Sequence, residues 1–251
     1  MTTIPTTDAL KYKDEYYSHI LQDACLLDPQ KHQHLTCYCN QPWTEKHAMV
    51  CSKTNTQYTL HNKMRDLFRK LGRYNGLSIA NAEPRGLPNT HGFTGGADLQ
   101  IKGLPIVDPV ADKVNVIVDF TFPTVLAHSN VTNLIQNNPG ATARRHEQRK
   151  IQDTTYLADA TNNGMQFIPA AQEKETTRYG PGYEHLIKRM AQNKKGAVYE
   201  DDPHNEYGFR QGMWHVPTAE KYFRTALAVA LINARESAIA MSYRRASAPS
   251  G

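Results

Sequence analysis

Long apolar runs are missing from this chain. Nothing approaches the roughly 18 consecutive apolar residues that a membrane-spanning helix needs, and the opening MTTIPTTDAL has neither a basic start nor an apolar stretch of the secretory kind. Cysteine is scarce as well. Four in 251 residues exclude a disulfide-stapled scaffold, and three of them crowd between Cys37 and Cys51, which suggests a metal in a reducing compartment. Neither sign of charge dominates: 29 Lys and Arg face 24 Asp and Glu, a net +5 that leans toward an anionic partner without requiring one. With 39% apolar residues a sizeable core is within reach. The chain therefore reads as a globular intracellular protein with no membrane contact, built as one domain with elaborations or two small ones.

The stretch from Gly95 to Phe122, GGADLQIKGLPIVDPVADKVNVIVDFTF, organises the rest. Alternation and β-branched residues predict strands over Ala97 to Ile101 and Val114 to Phe122, with Gly103, Pro105 and Pro109 breaking the chain between them. The first strand carries Asp98, and the second carries Asp119 among apolar neighbours, where an unpaired carboxylate is costly to bury. If the strands are adjacent, the two aspartates converge at one end of a sheet as hard oxygen donors for Mg²⁺. The alternative is that Asp98 caps a turn while Asp119 pairs with a buried Arg or Lys.

Upstream, helical spacing predicts a helix from Asp8 to Leu26. It is followed by HQHLTCYCNQPWTEKHAMVC, where Cys37, Cys39, His47 and Cys51 place four metal donors in one small loop. The segment resembles a zinc knuckle, although Tyr38 alone separates the first pair where such knuckles carry Cys-x-x-Cys. Zinc needs four such ligands and supplies folding energy to a loop too short to bury a core; His32, His34 and Cys25 are the substitutes within reach.

A helix from Thr56 to Leu71 follows, with Leu60, Met64, Leu67, Phe68 and Leu71 as its buried stripe and His61, Arg65 and Arg69 along a basic flank suited to phosphates. Leu77 to Pro84 reads as a strand that leaves Glu83 at its end as a third candidate acid, and 84–96 as a loop. Beyond Asp119, a helix from Ala141 to Ala160 carries Arg144, Arg145, Arg149 and Lys150, cations able to neutralise a scissile phosphate. A strand over Met165 to Ala171 contains Pro169, which favours an edge. Helices near Gly182 to Gln192 and Pro217 to Arg244 complete the chain.

The order of these motifs resembles the C-terminal restriction-like endonuclease region of reverse-transcriptase polyproteins from non-LTR retrotransposons: knuckle, Leu60-His61-Asn62 opening a helix, Glu83-Pro84, Ala97-Asp98, Val118-Asp119-Phe120-Thr121, then a basic helix with Tyr156 near its end. The similarity runs from about Thr36 to Met241. Three positions depart from the family pattern: Leu60 stands for its arginine, Ala97 for its proline, and Thr121 for the lysine two residues beyond the second acid. The resemblance implies an α/β fold, a three-layer α/β/α restriction-endonuclease-like core with a mixed sheet, an N-terminal zinc knuckle and a long C-terminal helix. The knuckle and first helix would occupy residues 1–54 and the nuclease domain 55–251.

It further implies a Mg²⁺-dependent endonuclease acting on DNA. Asp98 and Asp119, with Glu83, would hold Mg²⁺, and Lys150 or Arg149 would replace the missing lysine. His61, Asn62, Arg65, Arg69, Arg145 and Arg149 would contact nucleic acid, DNA or else RNA, and Cys37, Cys39, His47 and Cys51 would hold a structural zinc. The chain would be a detached module of such a polyprotein, nuclear in a eukaryote. The alternative from another class is a mobile-element remnant that binds nucleic acid without cutting it.

Overall fold

The computed structural model describes residues 35–80, 97–105, 113–125, 127, 138–153, 156–193 and 218–247. The predicted helix from Asp8 to Leu26 and residues Cys25, His32, His34, Glu83 and Pro217 lie outside them. The described chain is a mixed α/β structure around a four-stranded sheet in the order β1 (Ser78–Ile79), β2 (Leu99–Pro105), β3 (Lys113–Thr121), β4 (Gln166–Ala171). The first two pairings are antiparallel. β4 runs parallel to β3, which demands a crossover; the helices α3 (Ala141–Asp153) and α4 (Tyr156–Asn162) provide it.

The alternation along β3 divides the core. Val116, Val118 and Phe120 join Leu99 and Ile101 of β2 in the main hydrophobic cluster, together with Leu60, Met64, Phe68 and Leu71 of α2 (Thr56–Tyr74) and Tyr183, Leu186 and Ile187 of α5 (Pro181–Gln192). Ile117 packs instead with Ala97, Phe167 and Ala160, with Tyr156 against them. Period-two alternation therefore sends Asp119 to the same side as Ile117. The last helix, α6 (Ala219–Ala246), is capped by the Thr218 hydroxyl, which accepts from the Lys221 amide. It is buried along most of its length, including Tyr222, Phe223, Ala226, Leu227, Leu231 and Ala238.

Close approaches explain the glycines that matter. A side chain at Gly182 would lie 2.1 Å from the Pro169 carbonyl oxygen, so glycine is what lets the start of α5 approach the backbone of β4. The start of α5 is held by Glu147 of α3, whose buried carboxylate accepts from the amides of Ala171, Gly182 and Tyr183. An anion there suits the positive end of the helix. Burial pushes the Glu147 pKa up more than the three amides pull it down.

Several elements differ from the sequence-based expectation. The helix foreseen over Ala141 to Ala160 is described as α3 and α4, with residues 154 and 155 between them outside the described residues, and α4 runs on to Asn162. β2 does not stop at Gly103: with φ +66°, this glycine carries a register shift between Ile101 and Leu104, and its amide donates to Asn115 Oδ1. Pro169 does sit on the edge strand, opposite Asp119. The segment before α2 packs into the common core: Trp43 donates to the Ser242 hydroxyl and meets the Tyr243 ring edge-on, and Arg245 donates to the Thr54 carbonyl. These contacts cross the boundary expected between residues 54 and 55. Among the described residues no helix is long and apolar enough to cross a membrane.

Candidate functional site

A short hairpin presents the first cluster. Thr36 bridges to Pro42, the Asn40 amide donates to the Cys37 carbonyl, and Asn40 itself adopts φ +64°. That left-handed turn is how a pair separated by Tyr38 alone brings both thiols together. The facing helix α1 (Glu45–Val50), capped by Thr44, supplies His47, and Cys51 ends it. Cys37 Sγ lies 3.7 Å from Cys51 Sγ, and Cys39 Sγ lies 3.0 Å from His47 Nε2. All four donor atoms fall within 4.8 Å of one another. Zn–S bonds of about 2.3 Å at tetrahedral angles put neighbouring sulfurs about 3.8 Å apart, so the cluster can hold a metal such as zinc. Burial pushes the Cys37 thiol up. At Cys51 burial is outweighed by the Lys53 and Thr54 amides and the neighbouring thiols, which pull it down.

The second arrangement lies where β2 begins and β3 ends. The register pairs Leu99 with Val118, and the Asp98 amide donates to the Val118 carbonyl, so Asp98 and Asp119 are cross-strand neighbours on one face. Both are buried, at 6% and 5% exposure. Asp98 Oδ2 accepts from the Phe120 amide at 2.6 Å and stands 3.1 Å from His61 Nε2 of α2. Lys150 Nζ of α3 donates to Asp119 Oδ2. Burial lifts Asp119 to about 6; the Lys150 charge pulls it down, and the charge and hydrogen bond of Asp98 push it further up. Burial disfavours a charged His61, but the hydrogen bond and charge of Asp98, aided by Asp119, outweigh it, and the ring's pKa rises. Tyr156, stacked on Phe167 at 5.3 Å, is raised by burial and by both aspartates, which places its hydroxyl in their field.

Of these groups Asp98 and His61 border an open cleft of about 480 Å³ whose lining also includes Tyr58, Asn62 and Lys174. Two buried carboxylates on neighbouring strands, Asp98 and Asp119, are hard oxygen donors of the kind a divalent cation such as Mg²⁺ takes. Cations gather beside them. His146 is lowered by burial and then by Arg149, Arg145, Lys150 and Lys174, four positive groups around one side chain.

The residues expected on a free basic flank of α2 are not equivalent. His61 turns to Asp98. Arg65 is 8% exposed and reaches Asp66, which also draws Arg69 at 3.7 Å. Arg65 is therefore a buried arginine of the helix–core boundary rather than an outward group. Arg145 and Arg149 are exposed on α3, and the Arg144 guanidinium is tied to the Pro139 carbonyl and Asn138. Lys174 and Glu147 escaped the sequence reading, because polar residues in a turn or on a helix look solvated until tertiary packing covers them. In comparison with known proteins, no protein-family model matches the chain and no curated protein matches it.

Proposed function

We propose that the cleft is the active site of a Mg²⁺-dependent DNA endonuclease with a three-layer, restriction-endonuclease-like core, and that Cys37, Cys39, His47 and Cys51 hold a structural zinc. The observation that carries this reading is the cross-strand pair Asp98 and Asp119, with Lys150 on the second of them. Asp98 and Asp119 would hold the Mg²⁺, which when bound would supply charge for the phosphodiester and acidify the attacking water. His61 and the Phe120 amide orient Asp98 before any substrate arrives. Lys150, held on Asp119, would neutralise the developing charge on the phosphate, the role left vacant by Thr121. Tyr156, in the field of both aspartates, is braced by the small apolar cluster it packs against.

The test is nicking of supercoiled plasmid by zinc-loaded protein with Mg²⁺ or with EDTA. Parent protein nicks with Mg²⁺ alone, Asp98→Asn loses activity to background, and Lys150→Ala slows it about 100-fold or more. Equal rates for the parent and Asp98→Asn remove the nuclease reading. A parent that binds DNA but never nicks it selects the non-catalytic binding module.

A further inference from the structure

Lys174 stands in the turn between β4 and α5, a segment that looks like a solvated polar loop: Gln172-Glu-Lys-Glu-Thr-Thr-Arg178. The structure buries it to 2% exposure. Its backbone is pinned, since the Lys174 amide donates to the Pro123 carbonyl and the preceding Gln172 amide donates to the Thr121 carbonyl at the end of β3. The turn is closed by the Glu173 amide on the Arg178 carbonyl. The ammonium donates to one neutral acceptor, the Met49 carbonyl, at 3.1 Å.

Among the described residues Lys174 forms no ion pair, and its neighbour Glu175 is engaged elsewhere, by the Thr124 hydroxyl and the Val125 amide. A buried cation without a counter-ion is costly, and one carbonyl does not offset the loss of water. Burial pulls the Lys174 pKa down to about 8, with Glu175 pulling it back up, so the group is still charged at neutral pH. It also lines the same cleft as Asp98 and His61, and it acts on His146 together with Lys150.

We infer that Lys174 is an anion-binding residue of the cleft, and that its missing counter-ion is a phosphate of the DNA strand beside the one that is cut. The exposed ring of Tyr58 on the same cleft makes a nucleotide a better match than a small inorganic ion, because it offers an unstacked base a face. This inference rests on the nuclease reading for its ligand, but its physical core is a lysine buried without an ion pair among the described residues.

The experiment compares zinc-loaded parent and Lys174→Met for binding of a fluorescein-labelled DNA duplex, by anisotropy at several salt concentrations without added Mg²⁺. Zinc content and thermal midpoint are recorded alongside. The variant is expected to bind about tenfold more weakly, with a salt slope smaller by about 0.9, and to melt at the same temperature or about 2–4 °C higher because an uncompensated buried charge is gone. Equal affinity and slope in a parent that binds overturn the inference and leave the nuclease reading untouched. A variant that binds more weakly but also melts lower and loses zinc makes Lys174 a brace for α1, which likewise overturns it. A parent that does not bind duplex at low salt removes the nuclease reading, and the inference falls with it.

Discussion

The Cys/His cluster, which can hold a metal, and the carboxylate cleft, which we propose to hold one, are sites of opposite construction. In the first, Cys37 and Cys51 meet across a separation of 14 positions, within one hairpin and one short helix. In the second, His61 reaches Asp98 across 37 positions and Lys150 reaches Asp119 across 31, so four elements must dock before the site exists. The first uses soft donors and has little core of its own; the second uses hard donors set into a core that forms without them. A metal in the cluster should therefore contribute folding energy, whereas a metal in the cleft should relieve a charge problem the fold already tolerates.

The largest expected effect breaks the comparison at the cluster. Cys51→Ser should lose bound zinc, read by elemental analysis, and lower the thermal midpoint by more than about 10 °C, since structural zinc sites contribute on the order of 10 kcal/mol to small folds. The loss should reach α6 through Trp43, Ser242 and Arg245. A variant that keeps its zinc, or a parent purified without chelator that holds none, removes the structural-zinc reading.

A smaller effect sharpens the comparison at the cleft. Asp119 has a folded pKa of about 6 against an ordinary 3.8, so the folded state holds its proton more tightly than the unfolded one. Its contribution is most favourable below about pH 4, is lost as pH rises toward 6 and stays unfavourable above, by a ceiling on the order of 2–3 kcal/mol. Without magnesium, Asp119→Asn should therefore be more stable than the parent at pH 7.5, and its advantage should shrink at pH 5. Urea unfolding of both proteins at the two pH values measures this difference; an advantage that grows as pH falls shows the opposite sign and sinks the assignment.

The smallest effect belongs to neither site. Arg145→Ala with Arg149→Ala removes two exposed cations of α3 and should change stability by less than about 0.5 kcal/mol. Its signature is in binding: a DNA salt slope reduced by about 2, without change in sequence preference. An unaltered slope takes α3 out of the DNA-facing surface.

Much of the cluster was legible in the residue order, because Cys37, Cys39, His47 and Cys51 are local and their chemistry is distinctive. The strands around Asp98 and Asp119, the stripe of α2 and the apolar face of α6 were legible for the same reason: periodicity is local information. The continuation of β2 through Gly103 and the burial of Arg65 were not. Each depends on what another part of the chain presses against it.

Composition and spacing by themselves determined an α/β chain with a loop of four metal donors and an acid on each of two strands, because donor type and hydrophobic period are written residue by residue. Tertiary structure alone decided that Asp98 and Asp119 stand opposite each other, that His61 and Lys150 each claim one of them, and that Lys174 is buried without an ion pair among the described residues. Register and desolvation are properties of assembled surfaces. A lysine in a polar turn has no pKa shift and no missing partner until β3, α1 and the turn itself exclude water from around it.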